Sequence, residues 1–195
     1  MKNKLDKRCS WCHGDALYEA YHDNEWGVPL YDDDKLFEFL LLEGAQAGLS
    51  WITVLRKREG YRLAYDNFNA EKIARYSDKK IEKLLSNPEI IRNRLKVNSA
   101  IKNAKAFLKI KKIESSFTDY IWQFVDGKPI QNYWESMGDV PSSTPISDLM
   151  SKDLKKRGFN FVGSTICYAF MQATGMVNDH LVSCPSYKPC QTGKK

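Results

Sequence analysis

The sequence predicts an all-α protein, and three features of the pattern favour that class. Apolar residues recur at helical spacing through most of the 195 residues, and residues that begin or end helices separate these segments. Alternating strand patterns are nearly missing, with Val28–Tyr31 and Lys128–Tyr133 as weak candidates. No repeat and no Pro/Gly/Ser-rich linker divides the chain, so we expect one domain over residues 1–195.

The composition is that of a globular protein in water, with 43% hydrophobic and 28% charged residues. The 30 basic residues exceed the 24 acidic ones and give a formal charge of +6, which permits an anionic partner without identifying one. Because the chain has no long apolar run and begins with charged residues, we expect no membrane helix, no secretory signal and a cytoplasmic location. The five cysteines are therefore not expected to form disulfides.

A central helix is predicted over Leu36–Leu49, because this segment is apolar almost all round. Asp32–Asp34 precede it, where the N-terminus of a helix favours negative charge. Two shorter helices, over residues 70–76 and 78–86, are predicted to follow the N-cap residues Asn69 and Ser77.

A long helix is predicted to begin at Asn87-Pro88, because proline is favoured in the first helical turn. Its apolar stripe consists of Val97, Ile101, Ala104 and Leu108. Ser116 and Asp119 have the spacing of a capping box before the next helix. Residues 126–145 are predicted to form a loop, and loops of this length are often functional.

Two closing helices have the best-defined ends. The first is predicted over residues 147–157 and ends at Gly158, and the second begins at Gly163 and ends at Gly175. The backbone N–H groups at the start of the second helix, those of Gly163, Ser164 and Thr165, would form an anion site. The alternative is an ordinary helical hairpin with glycine caps, and the residues alone leave both interpretations open.

Cysteines and histidines group near the two ends of the chain. Two thiolates and two imidazoles are a normal ligand set for tetrahedral Zn²⁺, and this chain offers Cys9, His22, His180 and Cys184. A metal bound there would tie the termini together. The alternatives are scattered structural residues and a half-site made by Cys9, Cys12 and His13, and spacing does not choose between Cys9 and Cys12.

Glu43 is the candidate for a functional charge. It lies near the C-terminal end of the apolar helix, where the helix dipole disfavours an anion and burial without a partner is costly. Trp51 follows a segment of small residues, and Tyr18 and Tyr21 would share one helix face. Aromatic rings with one acid suit a flat cationic ligand. The alternatives are an exposed or arginine-paired Glu43 and aromatic residues that only fill the core.

Three segments closely resemble the DNA-3-methyladenine glycosylase I family: AYHDNEWGVP at residues 20–29, LEGAQAGLSWITVLRKRE at 42–59 and LKKRGFNFVGSTICYAFMQATGMVNDH at 154–180. The similarity extends from about Cys9 to Cys184. The family belongs to the helix-hairpin-helix DNA glycosylases, which are all-α proteins with a lesion pocket between two helical lobes. The resemblance implies base-excision repair: flipping 3-methyladenine out of alkylated double-stranded DNA and hydrolysing its glycosidic bond.

The resemblance also assigns roles to residues of the pocket. Glu43 matches the family's base-pocket acid, here expected to be the catalytic residue, and Trp51 matches its stacking tryptophan. Tyr18 and Tyr21 match pocket tyrosines, and Trp11 matches a position at the pocket edge. The turn and helix start that match the DNA-binding hairpin contain Gly158, Gly163, Ser164 and Thr165. The structural zinc ligands correspond to Cys9, His22, His180 and Cys184, with Cys12, His13 and Cys190 as additional potential ligands.

The implied product is free 3-methyladenine, and we expect a monomer that leaves an abasic site. Strand-cutting relatives carry a lysine near the start of the second hairpin helix, and residues 163–166 contain none, so a monofunctional enzyme is predicted. Asp179 lies where relatives place a catalytic aspartate, but it adjoins His180 and is a weak candidate. A zinc-stapled DNA-binding module without catalysis is the competing interpretation.

Overall fold

A computed structural model describes residues 7–114 and 116–192, and within these the regular secondary structure is helical apart from one short strand pair. Residues 1–6, 115 and 193–195 lie outside this description. The helices are α1 (Ala16–Asn24), α2 (Asp33–Gln46), α3 (Trp51–Leu55), α4 (Arg58–Ala64), α5 (Ala70–Ile73), α6 (Asp78–Ser86), α7 (Arg94–Glu114), α8 (Phe117–Trp122), α9 (Pro145–Lys156), α10 (Ser164–Ala173) and α11 (Tyr187–Thr192). The prediction of an all-α fold is confirmed. None of the described helices is long and apolar enough to cross a lipid bilayer.

Helix α2 lies at the centre, as its apolar sequence predicted. Its residues from Leu36 to Ala45 are buried except for Glu38, which is half-buried. The helix packs against α3, α7, α8 and α10. The side chain of Asp32 caps its N-terminus by accepting a hydrogen bond from the backbone N–H of Lys35 at 2.9 Å.

Three further N-caps predicted from the sequence are confirmed. The side chains of Asn69, Ser77 and Ser116 each accept a hydrogen bond from the backbone N–H three residues later. Helix α6 has the predicted bounds, whereas α5 ends at Ile73, three residues before the predicted end.

The predicted start of the long helix is wrong, because α7 begins at Arg94. Asn87 instead accepts a hydrogen bond from the backbone N–H of Glu89 and forms a local turn. Asn93 accepts from the N–H of Lys96 at 3.1 Å and caps the helix. Of the predicted stripe, Val97 and Ala104 are buried, and Ile101 and Leu108 are half-buried against the core.

The predicted loop over residues 126–145 contains a short strand and ends earlier than expected. Strand β1 (Ile130–Gln131) pairs in parallel with β2 (Val177–Asn178), so two residues of Lys128–Tyr133 form a strand. Helix α9 begins at Pro145, two residues before the predicted start, because Thr144 and Ser147 form a reciprocal capping box.

Val28–Tyr31 forms no strand. The backbone N–H groups of Gly27 and Leu30 bind the carbonyl oxygens of Gln172 and Thr174 at the end of α10. These hydrogen bonds fix the segment against a helix terminus rather than against another strand. Gly175 permits the close approach: its φ is +68°, and a Cβ there would lie 2.3 Å from the carbonyl carbon of Val28.

Candidate active site and metal centre

A cavity of about 180 Å³ opens where α1, α2, α3 and α10 meet. It is lined by Trp11, Tyr18, Tyr21, Trp26, Glu43, Gln46, Trp51, Met137, Ala169 and Gln172. The five residues predicted to form a base pocket, Trp11, Tyr18, Tyr21, Glu43 and Trp51, therefore border one space. That volume suits a ligand of one or two rings.

The aromatic side chains around this cavity hold one another in place. The ring centroids of Tyr21 and Trp51 lie 5.5 Å apart, and Phe39 stacks behind Trp51 at 6.4 Å with an interplanar angle of 17°. Trp11 packs 4.7 Å from Tyr18 and 5.0 Å from Trp26. Because these rings pack on each other, their planes are fixed before a flat ligand enters.

Glu43 is buried in this cavity wall without a charged partner. Its side chain is only 2% exposed, and burial raises the pKa of its carboxyl to about 8. Within residues 7–114 and 116–192, no group donates a hydrogen bond to Glu43 Oε2. An unsatisfied buried carboxyl is rare in structural positions and frequent in binding sites. The alternatives of an exposed or arginine-paired Glu43 do not hold.

The cavity also offers hydrogen-bond donors. The Trp51 indole Nε1 is buried, and the described part of the chain supplies no acceptor for it. Burial, with a contribution from the neighbouring Glu43, raises the pKa of Tyr18 to about 12 and that of Tyr21 well above its usual range. Both phenols therefore keep their protons at neutral pH.

Sequence reasoning missed half of the lining residues. Ala169 and Gln172 lie three residues apart on α10, so helical periodicity could have placed them on one face. Met137 comes from the irregular segment between β1 and α9, where no periodicity indicates which side chain points inward.

A larger groove of about 590 Å³ lies behind Phe39, and its two arginines pair with acidic side chains. Arg58 donates to Glu25 at 2.6 Å and to Glu38 at 2.7 Å, and Arg62 also donates to Glu38. Side chains that already form ion pairs are less available to bind a ligand than the unpartnered carboxyl of Glu43. We therefore take the smaller cavity as the candidate active site.

The end of α2, just after Glu43, is held by a lysine from α7. Lys96 Nζ donates to the carbonyl oxygens of Ala45 and Ala47, each at 2.7 Å. Partial burial lowers the pKa of the Lys96 amine. Its charge offsets the negative end of the helix dipole, which otherwise disfavours an anion at Glu43.

Helices α9 and α10 pack together as a helical hairpin joined by residues 157–163. Ser151 Oγ donates to the carbonyl oxygen of Val162 at 2.6 Å. The buried Asn103 of α7 exchanges two hydrogen bonds with the backbone of Asn160. The turn is therefore anchored on two sides.

The two glycines of this turn differ in what they require. Gly158 has a φ of +99°, which favours glycine for conformational reasons. Gly163 has a φ of −63°, and a Cβ there would meet nothing within 4 Å. The fold itself gives no reason for glycine at position 163. Ser164 and Thr165 follow in the first turn of α10, where backbone N–H groups have no intrahelical acceptor.

Cys9, His22, His180 and Cys184 form a buried cluster that could hold a metal ion. Their ligand atoms all lie within 4.8 Å of one another. The Cys184 sulfur lies 3.5 Å from His22 Nε2 and 3.6 Å from His180 Nδ1, and the Cys9 sulfur lies 3.8 Å from His180 Nδ1. Hydrogen bonds from Cys9, His180 and His22 lower the pKa of the Cys184 thiol.

The second ring nitrogen of each histidine has its own partner. His22 Nδ1 lies 2.8 Å from Asp23 Oδ1, and His180 Nε2 lies 3.0 Å from the carbonyl oxygen of Trp26. Such contacts orient imidazoles toward a metal. Cys12 lies outside the four-residue cluster and donates to the carbonyl oxygen of Cys9 at 3.1 Å. In the described structure the candidate ligand is thus Cys9, and His13 and Cys190 are also outside the cluster.

Asp179 is fully engaged in hydrogen bonds. Its Oδ1 accepts from Asn132 Nδ2 at 2.7 Å and from Trp134 Nε1 at 2.8 Å. Its Oδ2 accepts from the Tyr168 hydroxyl at 2.7 Å and from Gln172 Nε2 at 2.8 Å. Four donors occupy a carboxylate that is 1% exposed, so this group joins β1, β2 and α10 rather than facing a substrate.

This fold and cavity define a helical protein in which aromatic rings and a buried acid border a cavity suited to a flat ligand. Comparison with known proteins identifies the class: residues 11–187 match the methyladenine glycosylase family, and the chain belongs to it. It is 51% identical over 181 residues to DNA-3-methyladenine glycosylase 1 of Escherichia coli (strain K12), covering 93% of this chain and 97% of the relative.

Solved structures agree with this assignment. A crystal structure of 3-methyladenine DNA glycosylase I superposes with a TM-score of 0.91 at 53% identity, covering 92% of this chain and 99% of the other. A tyrosine-to-phenylalanine variant of such an enzyme, in complex with 3-methyladenine, superposes with a TM-score of 0.89 at 37% identity, covering 92% and 96%.

Proposed function

We propose that this protein is a monofunctional DNA glycosylase that excises 3-methyladenine from alkylated double-stranded DNA and leaves an abasic site. The observation that carries the proposal is Glu43, a buried carboxyl without a hydrogen-bond partner for Oε2 in the described chain, set in a cavity of aromatic rings. Relatives named for this activity, and one bound to 3-methyladenine, support it.

The chemistry follows from the charge of the lesion. Methylation at N3 makes the base cationic and weakens its glycosidic bond, so the leaving group needs no proton. Water adds to the sugar C1′, the C1′–N9 bond breaks with its electron pair going to the base, and the proton of the water passes to solvent. The protein must therefore extract, hold and discriminate the base.

Glu43 and Trp51 supply that discrimination. Extrusion of a base costs a few kcal/mol and is easiest for damaged bases. The Trp51 ring stacks on the extruded base and attracts its charge. A Glu43 carboxylate in a water-poor cavity favours the cationic base over neutral adenine and accepts a hydrogen bond from its exocyclic amine. The remaining pocket residues, Trp11, Tyr18 and Tyr21, complete the wall.

We place DNA binding at the turn between α9 and α10. The N–H groups of Gly163, Ser164 and Thr165 would meet a phosphate, and Gly158 sets the conformation of the turn. Lys155 and Lys156 are exposed beside it. Arg157 pairs with Asp153 at 2.8 Å and with Glu114 at 3.1 Å, so its charge is partly compensated.

The Cys/His cluster fits a structural zinc ion. With Zn–S of about 2.3 Å and Zn–N of about 2.0–2.1 Å, tetrahedral geometry separates sulfur and nitrogen by about 3.6 Å. The three sulfur–nitrogen distances of 3.5, 3.6 and 3.8 Å agree. Cys9, His22, His180 and Cys184 would fill all four positions and join the ends of one domain. We further propose that the protein acts in the cytoplasm as a monomer.

Base release from N-methylated duplex DNA tests the function. Chromatography of the supernatant should show free 3-methyladenine, with strands that break only after alkaline treatment. Glu43→Gln should lose release, and Glu71→Gln, an exposed acid on α5, should retain it. A protein that binds duplex DNA but releases no base would be the non-enzymatic module instead.

A further inference from the structure

We infer that Gln172 is a specificity-determining residue of the base cavity, and that Asp179 is the positioning residue that fixes its orientation. The inference rests on the proposed function. It concerns how an adenine-type base is distinguished from a base with a carbonyl oxygen at the same ring position.

Asp179 determines which end of the Gln172 carboxamide faces it. Trp134 Nε1 can only donate a hydrogen bond, and the amide groups of Asn132 and Gln172 donate at 2.7 and 2.8 Å. With four donors on its two oxygens, the Asp179 carboxylate is an acceptor throughout. The NH₂ end of Gln172, not its carbonyl end, must therefore face Asp179.

Because Asp179 holds the NH₂ end of the carboxamide, the position of the carbonyl oxygen of Gln172 is fixed as well. Gln172 lines the cavity together with Glu43, and its Nε2 is held by Asp179. Across the two described segments of the chain, no donor binds Gln172 Oε1. An unrestrained glutamine could rotate and exchange its two ends, whereas this one holds its NH₂ group at Asp179 and turns its carbonyl oxygen away from Asp179.

Two acceptors in one cavity match an exocyclic amine. Such an amine carries two N–H groups, one for Glu43 and one for Gln172 Oε1. A base of the same shape with a carbonyl oxygen there would place an acceptor against Gln172 Oε1 and leave both oxygens without a hydrogen bond. Polar sites reject mismatched analogues strongly because buried groups are left without hydrogen bonds.

The test uses two free bases of equal size, 3-methyladenine and 3-methylhypoxanthine, titrated calorimetrically into three proteins. Gln172→Met keeps the length of the side chain and removes the acceptor. Gln123→Met is the matched control, because Gln123 is exposed and donates only to the backbone of Tyr120. We expect wild type and control to prefer 3-methyladenine strongly.

Gln172→Met should bind 3-methyladenine about 3–10-fold more weakly than wild type does, and 3-methylhypoxanthine no more weakly. The ratio of the dissociation constants of the two bases should therefore change by the same factor. An equal loss for both bases would mean that Gln172 only shapes the cavity, and this would overturn the inference. If wild type binds neither base and releases none from DNA, the proposed function itself fails. A preference unchanged in Gln172→Met, with base release intact in wild type, overturns this inference alone.

A second measurement needs no variant. In a crystal structure of the wild-type protein with 3-methyladenine, the exocyclic nitrogen should lie within about 3.2 Å of Gln172 Oε1. A separation beyond about 4 Å would reject the direct hydrogen bond, whatever the stability of Gln172→Met.

Discussion

The side chain of Asn103 and the backbone of Asn160 exchange two hydrogen bonds. Asn103 Nδ2 donates to the Asn160 carbonyl oxygen at 3.0 Å, and the Asn160 N–H donates to Asn103 Oδ1 at 2.7 Å. Asn103 is 1% exposed in the middle of α7, so a rigid helix holds the turn proposed to meet DNA.

Asn103→Leu should therefore weaken both the fold and DNA binding. It leaves two backbone groups of Asn160 without partners, which destabilises the protein by about 1–3 kcal/mol. Below the melting temperature, affinity for duplex DNA should fall while affinity for free 3-methyladenine stays unchanged. Anisotropy of a labelled duplex and calorimetry with the free base separate the two effects. If the affinities for duplex DNA and for free 3-methyladenine fall together, the substitution disrupts the fold as a whole.

Gly163 and Gly158 should respond differently to substitution. Gly163→Val should leave thermal stability nearly unchanged, because φ at this position is −63° and the space around a Cβ is open. It should weaken DNA binding, since its backbone must approach a phosphate closely. Gly158→Ala should instead lower stability by about 1 kcal/mol, because its φ is +99°. If folded Gly163→Val binds duplex DNA as tightly as wild type does, α9 and α10 form an ordinary helical hairpin without a role in DNA binding.

Metal analysis should find about one zinc ion per chain, as expected for a closed four-ligand site. Cys9→Ser should lose the ion and melt at a lower temperature, whereas Cys167→Ser, a buried thiol on α10 outside the cluster, should retain it. If Cys9→Ser retains zinc, Cys12 is the ligand instead of Cys9. Protein purified without chelators and free of metal would rule out the zinc site.

Excision should increase with pH as Glu43 loses its proton. Burial raises the pKa of Glu43 from 4.5 to about 8, so the empty cavity holds a mostly neutral carboxyl at pH 7. A cationic base binds the ionised form, and kcat/KM should therefore rise with pH up to about 8 and level off above about pH 9. Glu71→Gln should show the same rise. A flat profile in wild type, with binding of the base intact, would contradict the role of this ionisation.

Much of the fold follows from local patterns. The buried sequence of α2 and the side chains of Asn69, Ser77 and Ser116 determine elements that the structure confirms. The start of α7 was mispredicted because two asparagines compete to cap it, and the local turn at Asn87 excludes the earlier one. Such competition depends on how the preceding chain packs.

Some residues of the candidate site could likewise be predicted from the sequence, and others required the structure. Glu43 stands out because an acid in an apolar helix is costly to bury. Tyr18 and Tyr21 were candidates from their helical spacing and Trp51 from the small residues before it, and the resemblance then assigned their roles. Gln172 carries no such signal, since its orientation depends on Asp179 and on the pairing of β1 with β2. The choice of Cys9 over Cys12 likewise required the three-dimensional arrangement of both chain ends.

The central claim is that the Glu43 carboxylate recognises the base through a charge-assisted hydrogen bond from its exocyclic amine, and titration of free 3-methyladenine into wild type and Glu43→Gln tests it most directly. A charge-assisted hydrogen bond contributes about 1.5–3 kcal/mol, so the variant should bind on the order of 10–100-fold more weakly. The folded pKa of about 8 lies above the ordinary value of 4.5, so the destabilisation from ionising Glu43 grows as pH rises through that range.

At pH 7 the glutamine variant should therefore melt at the same or a higher temperature, with up to about 3 kcal/mol of desolvation penalty removed. At pH 4 the two proteins should differ little in stability, because the carboxyl is then protonated in both the folded and the unfolded chain. Weaker base binding with equal or greater stability at pH 7 is the predicted result. Equal affinity in both proteins, with Glu43→Gln merely less stable, would show that Glu43 is a structural residue.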